Sequence, residues 1–406
     1  MRMDMRVRVR LSTAAVSLAL GTLVAGTHGG CAAVHRPPAT PVSIAAAGDA
    51  AGAAHEATTA RLIDGLARRA VARGDRTLDL LLLSGGGQHG AYGIGFLRGW
   101  RTRTDAPMPR FDLVTGISTG ALQAPFALLG TEAALDTAAT LYRNAAAGSA
   151  PTVDWLFWLR RTGGVVDTTR YRRAIAAEIL NERVRDQLWV EFNAGRQLAT
   201  ATTDLDLGIG RVWDLGRELI AGPGAPDRVQ SVLLATTAIP GIFPPVLLDG
   251  HVHADGGLVS NVLPVLDFAG SRRLAARLRA LGVTEPVTVR VWVVMNLWTH
   301  PRPLVIDPAN RSQLAARGNL LLFWAQQPQI PERLADLARA VSADVPGLRM
   351  EVRYTAIPSE LAGEPGAAAL ADEAWMRRLE KLGYDRAFSA TPWDEITSPY
   401  RRPRPR

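Results

Sequence analysis

Residues 78–100 read LDLLLLSGGGQHGAYGIGFLRGW. An aliphatic run from Leu80 to Leu83 ends at Ser84 and meets three glycines, Gly85, Gly86 and Gly87. After Gln88, His89 and Gly90 a helical pattern begins. A continuous apolar run of this length predicts a strand covered on both faces, as in the centre of a parallel sheet. The glycines permit positive φ and let a ligand approach the backbone without meeting a Cβ. Amide donors in such a turn, beside a helix N-terminus, form a site for negative charge. Which negative charge is decided by the rest of the chain.

Within the helix that follows, Ala91, Gly95 and Gly99 fall four residues apart, and so do Tyr92, Phe96 and Trp100. One face is bare and its neighbour aromatic. Each internal glycine costs about 1 kcal/mol relative to alanine, so close packing of the bare face on the sheet is expected, with the aromatic stripe in the core. Upstream, apolar residues at Leu62, Ile63, Leu66, Ala67 and Ala70 predict a helix over 56–73, stopped by Gly74. Residues 32–60, rich in Ala, Pro, Thr and Gly, have little periodicity and are expected to be a flexible tether.

Residues 1–31 have the pattern of an export leader. Arg2, Arg6, Arg8 and Arg10 precede an apolar stretch, Leu11 to Ala25, too short for a stable membrane span, and small residues lead to Cys31, the single cysteine. The Gly-Cys-Ala setting of Cys31 resembles a bacterial lipobox, departing from it at His28. The reading is an exported protein, anchored through a lipidated Cys31 and facing the periplasm, or secreted after cleavage. An intramolecular disulfide is excluded in either case.

Downstream, Phe111 to Val114 predicts a short strand running into Gly116-Ile117-Ser118-Thr119-Gly120, and Ala121 to Leu129 a helix interrupted at Pro125 and closed by Gly130. Trp155, Phe157 and Trp158 form an aromatic cluster, suited to packing under a loop or to a lid. Strands are expected at 198–203, 211–215, 289–294 and 351–356, and helices at 168–180, 230–238 and over much of 311–382. Asp249-Gly250 between Val246–Leu248 and His251–His253 predicts a β-hairpin. Strands alternating with helices, without repeats, argue for a three-layer α/β/α fold with a helical C-terminal extension. The expected division is a catalytic unit over 78–268, an extension packed on the same core over 269–400, and a basic tail, 401–406.

The formal net charge of +8 is concentrated at the ends, with +3 in residues 1–10 and +4 in residues 401–406, which leaves +1 for everything between. A nearly neutral body argues against a nucleic-acid groove.

Gly116-Ile-Ser-Thr-Gly120 fits the nucleophile elbow G-x-S-x-G, with a strand before it and a helix after it. Gly85-x-Gly87-x-x-Gly90 also fits a dinucleotide fingerprint, with Asp105 at the acidic position, but the next strand delivers Ser118 rather than a ribose site. A P-loop is excluded because Ala91-Tyr92 follows Gly90. An oxyanion hole uses both loops: glycine amides would receive the charge formed when Ser118 attacks a carbonyl. The serine needs a base, for which the sequence offers His300, in the order of an α/β-hydrolase, or Asp255 acting without histidine. His251, His253 and Asp255 alternate onto one strand face, so either histidine is placed near the site or decorates the hairpin. Asp204 and Asp206 follow a strand without a His/Cys cluster in the sequence around them and are read as a turn; no metal or other cofactor is called for.

The segments Ala238-Ile-Pro-Gly-Ile-Phe-Pro-Pro-Val246, Asp255-Gly256-Gly257, and then Asn261 and Pro264 resemble the patatin-like phospholipase family. The order of glycine loop, serine elbow and aspartate-glycine motif is that family's order, over roughly Leu80 to Asp267. The resemblance implies a patatin-like sheet, a Ser118–Asp255 dyad with Asp255 as general base, and an oxyanion hole from Gly85, Gly86 and Gly87, with Gly90, Gly116, Gly120, Gly256 and Gly257 as motif glycines. It implies a phospholipase A- or lysophospholipase-like hydrolase of lipid esters meeting a membrane surface through its N-terminal anchor. Acyl transfer by the same dyad and lipid binding by an inactive fold are the alternatives. His89 stands where family members carry Arg or Lys, which bears on head-group preference.

Overall fold

The computed structural model describes residues 36, 38–154, 157, 162–222, 224–398, 400 and 401. The expected leader with Cys31, the indoles of Trp155 and Trp158, and residues 402–406 of the basic tail lie outside these.

Helix α1, Pro41–Arg73, opens the described chain. Thr40 caps it in a capping box with Ser43, Pro41 occupies the first turn, and Gly74 closes it at φ 71°. Residues 41–60, expected to be a tether, are therefore helical. Their alanine-rich composition lacks a hydrophobic period because little of this half is buried, yet alanine is the strongest helix former. The buried face begins at Thr58 and continues through Leu62, Ile63, Leu66, Ala67 and Ala70.

Eight strands form one sheet. They are β1 (Thr77–Leu83), β2 (Leu113–Gly116), β5 (Gln197–Asp204), β6 (Ile209–Asp214), β7 (Val246–Leu248), β8 (His251–Asp255), β9 (Val287–Met295) and β10 (Leu348–Ala356). Two further short strands, β3 (Thr152–Val153) and β4 (Val166–Asp167), pair separately. The order is β10-β9-β1-β2-β5-β8-β7, with β6 also on β5. The pairs from β10 through to β5 are all parallel. The sheet is thus mixed but mostly parallel, with helices on both faces, and the expected α/β fold is borne out. In β1 the side chains alternate between two cores: Leu80 and Leu82 pack with α1, and Leu81 and Leu83 with the opposite helices.

Helices α2 (Gly90–Thr102), α3 (Thr119–Leu129) and α4 (Glu132–Asn144) cover one face. The aromatic stripe of Tyr92, Phe96 and Trp100 is buried, as the sequence predicts. The bare stripe is not against the sheet. A Cβ on Gly95 would meet the Glu380 carbonyl, one on Gly99 the Tyr384 carbonyl, and one on Gly383 the Tyr92 carbonyl. Gly95, Gly99 and Gly383 thus bring α2 backbone to backbone with the C-terminal helix Glu373–Phe388. The helical partner is nearly 300 residues away in sequence, so local periodicity could not distinguish it from the sheet.

At the N-terminal ends of the central strands, Asp79 and Asp112 are fully buried. Arg73 bridges both, at 3.0 and 2.6 Å; Arg69 adds a bond to Asp112 at 2.8 Å and Arg290 one to Asp79 at 2.7 Å. Trp292 Nε1 donates to Asp79 at 2.9 Å. This network fixes β1 against β2, β9 and α1 at the end of the sheet opposite the glycine loop.

Candidate active site

The parallel register sets Leu83 beside Gly116. Since β1 and β2 end together, Gly85–Gly87 and Ser118 leave the sheet side by side. Ser118 is the N-cap of α3 with φ 52° and ψ −124°, a strained conformation for a residue with a side chain. A Cβ on Gly116 would strike the Gly120 carbonyl, and one on Gly120 the Leu83 carbonyl, so both glycines of G-x-S-x-G are required by the tightness of the turn.

Asp255 reaches the same place from the other direction. β6 occupies one edge of β5 over Ala199–Asp204, while β2 occupies the other edge only as far as Thr200. β8 then takes over that edge antiparallel, with Asp255 opposite Thr202. Asp255 therefore enters the sheet where Ser118 has just left it. Its carboxyl accepts the Gly257 amide at 2.7 Å and lies near the Ser118 hydroxyl. A Cβ on Gly256 would press on the Ala201 carbonyl, so that glycine lets the turn after Asp255 close on β5. Burial pushes the Asp255 carboxyl up to about 6, while the Gly257 amide and the nearby Ser118 hydroxyl pull in the opposite direction.

The three glycines play different parts. The Gly85 amide is donated to the Asn261 carbonyl at 3.3 Å, so it is not available to an oxyanion, a correction to the expected set. A Cβ there would lie 2.6 Å from Asn261 Oδ1 and 3.0 Å from Ser118 Cβ. Gly86 packs so closely on the Asn296 carbonyl that a Cβ would not fit, and Gly87 has φ 57°. Among the described residues, no protein acceptor takes the Gly86 or Gly87 amide. Gly90, the last glycine of this loop, leaves no room for a Cβ beside Tyr142, Thr119 and Gln123.

His89 lies behind the loop. It is buried against Trp298, ring centroids 5.0 Å apart, and its Nδ1 donates to the Gly86 carbonyl at 2.7 Å. Burial lowers its pKa, so it stands as a neutral donor that shapes the loop rather than as a group presented to a ligand head. Asp105 sits in the turn after α2, paired with Arg103, not at a ribose position. His300 follows β9, which β1 separates from β2, and its Nδ1 is 3.0 Å from Thr299 Oγ1. His251 and His253, earlier on β8, are engaged with β5 rather than with Ser118: His251 Nδ1 meets Asp204 Oδ2 at 2.7 Å and His253 Nδ1 meets Thr202 Oγ1 at 2.9 Å. Burial lowers the His253 pKa and keeps the ring neutral.

Several supporting residues have no motif to announce them. Thr236 Oγ1, at the end of helix Ala225–Thr236, accepts the Ser118 amide at 3.2 Å and donates to the Ala201 carbonyl at 2.6 Å. Asn296, just past β9, binds Ser84 through its amide and through Nδ2, each at 2.8 Å. Gln123 Nε2 holds the Gly90 carbonyl at 2.6 Å and Tyr142 at 3.0 Å, and Tyr142 contacts Thr119 Oγ1. Asn261 Nδ2 donates to Gln327 Oε1 at 2.8 Å, and Gln326 Nε2 to the Gly257 carbonyl at 2.8 Å, which ties the glycine loop and the Asp255 loop to one helix start. A polar residue at the C-terminal end of a strongly apolar strand was the one sequence signal for Asn296.

The arrangement unites a strained, buried serine, a carboxylate of raised basicity and two unclaimed backbone amides. Among the described residues no helix is long and apolar enough to cross a membrane. No curated protein matches the chain. Residues 81–269, the segment carrying Ser118, Asp255 and both glycine loops, match the family model described as patatin-like phospholipase, so this segment is a patatin-like phospholipase domain.

Proposed function

We propose that the protein hydrolyses lipid acyl esters with Ser118 as nucleophile and Asp255 as general base. The observation that carries this reading is the convergence of the strained Ser118 elbow and the buried Asp255 carboxyl beside the glycine turn, close enough for the Ser118 hydroxyl to act on that carboxyl's pKa. Ser118 Oγ bonds to the acyl carbon as its proton passes to Asp255. The carbonyl oxygen becomes an oxyanion, received by the amides of Gly86 and Gly87; one such donor is typically worth about 3–4 kcal/mol of barrier. The ester C–O bond then breaks, and Asp255 returns the proton to the departing alcohol. In the second half Asp255 takes a proton from water, whose oxygen attacks the acyl carbon; the C–O bond to Ser118 breaks, Asp255 returns the proton to Ser118 Oγ, and the acid leaves.

An aspartate of ordinary pKa, about 3.9, is a weak base towards a hydroxyl. The burial that raises Asp255 to about 6 answers this requirement. An apolar substrate is supported by exposed side chains next to the Asp255 loop: Ile239 is 37 %, Leu258 44 % and Val259 51 % exposed. The Ala238 carbonyl accepts the Asp255 amide at 2.9 Å, which places Ile239 beside that residue. Hydrolysis of a short-chain p-nitrophenyl ester tests the reading. Ser118→Ala and Asp255→Asn should each abolish turnover with circular dichroism unchanged; full activity in both folded variants would refute it.

A further inference from the structure

The start of β8 and the end of β5 gather four metal-ligating side chains that the proposed reaction does not use. Asp204 ends β5, Asp206 lies in the turn after it, and His251 and His253 stand on β8. The sequence separates the carboxylates from the imidazoles by more than 40 residues, and antiparallel pairing of Asp204 with His253 brings them together. Asp204, Asp206 and His251 each offer a donor atom within 4.8 Å of the others. His253 Nε2 points at the same Asp204 oxygen, Oδ2, from 3.9 Å.

Two features distinguish this cluster from an ordinary acidic turn. Asp204 Oδ1 does accept the amides of Asp206 and Leu207, both at 3.0 Å, as the turn reading expects. That leaves Oδ2 to face two imidazoles, with only His251 in hydrogen-bonding range, at 2.7 Å. The second feature is His253 itself: its side chain is wholly buried, and Nε2 has no hydrogen-bond partner. An orphaned buried ring nitrogen is costly unless something stands between it and the carboxylate.

The two donor separations at Asp204 Oδ2 bracket the spacing of a small divalent cation's ligands. Bonds of about 2.0–2.1 Å to nitrogen and oxygen in a tetrahedral site set neighbouring donors about 3.3 Å apart. The observed separations, 2.7 and 3.9 Å, straddle that value and need shifts of about half an ångström. The back of the His253 ring is already arranged as for a ligand. Nδ1 meets Thr202 Oγ1 at 2.9 Å, and Thr202 is itself fixed by Trp213 Nε1 at 2.8 Å. With Nδ1 as donor, Nε2 presents its lone pair to the cluster, the outer-shell pattern of metal-bound histidines. Asp206 is shared: Oδ1 pairs with Arg36 at 2.7 Å and Oδ2 accepts the Val252 amide at 2.8 Å, so the ion would compete with Arg36 for it.

We propose that Asp204, His251 and His253, with Asp206 as the exchangeable fourth ligand, form a binding site for a divalent transition-metal cation of the zinc type. Two imidazoles and two carboxylates favour such an ion over calcium or magnesium, which prefer all-oxygen sets. The ion would lock β8 to β5 two residues before Asp255. It is a structural clamp and takes no part in acyl chemistry.

The test is a titration of the full-length, chelator-treated protein with Zn2+ alone, by isothermal calorimetry and by thermal melting, with Mg2+ and Ca2+ as comparisons. One equivalent of Zn2+ should bind and raise the melting temperature, with no response to the other two ions. His251→Gln, at the more accessible ligand, and His253→Gln should each weaken binding at least about 100-fold, and Ser118→Ala should leave it unchanged. Co2+ in place of Zn2+ should give the visible absorption of a tetrahedral site. No stoichiometric binding in the folded protein, or binding that survives the folded His251→Gln variant, would overturn the proposal. The readouts are binding and melting, so they stand or fall separately from the ester hydrolysis assay.

Discussion

Asp255 faces Thr202 on the same edge of β5 that presents Thr200 to Gly116, one residue pair earlier on the far side of Ala201. This relay of two strands along one edge is what brings a serine and an aspartate 137 positions apart into one site. Everything around it is built to hold that junction. Thr236 ties the Ser118 amide to the Ala201 carbonyl, Gly256 lets the chain pass Ala201, and Thr203 Oγ1 grips the Asp255 carbonyl at 2.8 Å.

The raised pKa of Asp255 gives the reaction a pH signature. The carboxylate is the active form, so kcat/KM should climb about tenfold per pH unit below about 6 and level off above it. A stopped assay from pH 4.5 to 8.5 measures this, with chelator present so that no ion at Asp204 adds its charge. A profile flat across pH 5–7 would remove Asp255 from the role.

The same shift affects stability with a definite sign. The folded pKa of about 6 lies above the ordinary value of 3.8, so the folded state binds the proton more tightly. Its contribution is full below the unfolded value and is lost as pH rises through about 6. Asp255→Asn, which cannot ionise, should therefore be more stable than wild type at pH 8, by up to about 3 kcal/mol, and gain little at pH 4. Urea unfolding at the two pH values reads the difference.

Gly86 and Gly87 should separate under substitution. A Cβ at Gly86 would collide with the Asn296 carbonyl, so Gly86→Ala should displace the loop and lower kcat at least about 100-fold. Gly87 has open space around its missing Cβ but φ 57°, so Gly87→Ala should cost about 1 kcal/mol of stability and retain most activity. Kinetics and melting on the pair check the assignment.

Far from the site, Asp79→Ala leaves Arg290 without its buried partner, takes from Arg73 one of its two buried carboxylates, and leaves Trp292 Nε1 without an acceptor. A loss of about 3 kcal/mol in urea unfolding is expected. Gly95→Ala should lose about 1–3 kcal/mol, because the new methyl group meets the Glu380 main chain rather than a flexible side chain.

What was legible in the sequence followed from local chemistry. β1 announced itself as an aliphatic run buried on both faces, the hairpin by Asp249-Gly250, whose φ values of 52° and 84° are those the turn demands, and Ser118 by glycines that have no room for a Cβ. What was not legible depends on partners remote in sequence. The bare face of α2 meets a helix from the C-terminal end of the chain, Gly85 spends its amide on Asn261, and His89 turns inward onto Trp298. The helix over residues 41–60 was hidden for another reason: an alanine-rich helix with one exposed half has no hydrophobic period to read.

The most direct test of the central account is covalent labelling by a fluorophosphonate, followed by peptide mapping. The label is expected on Ser118 in the wild type and in His300→Ala at equal rates, slowed at least about 100-fold in Asp255→Asn. Labelling that persists unchanged in Asp255→Asn and disappears in His300→Ala would contradict a Ser118–Asp255 pair.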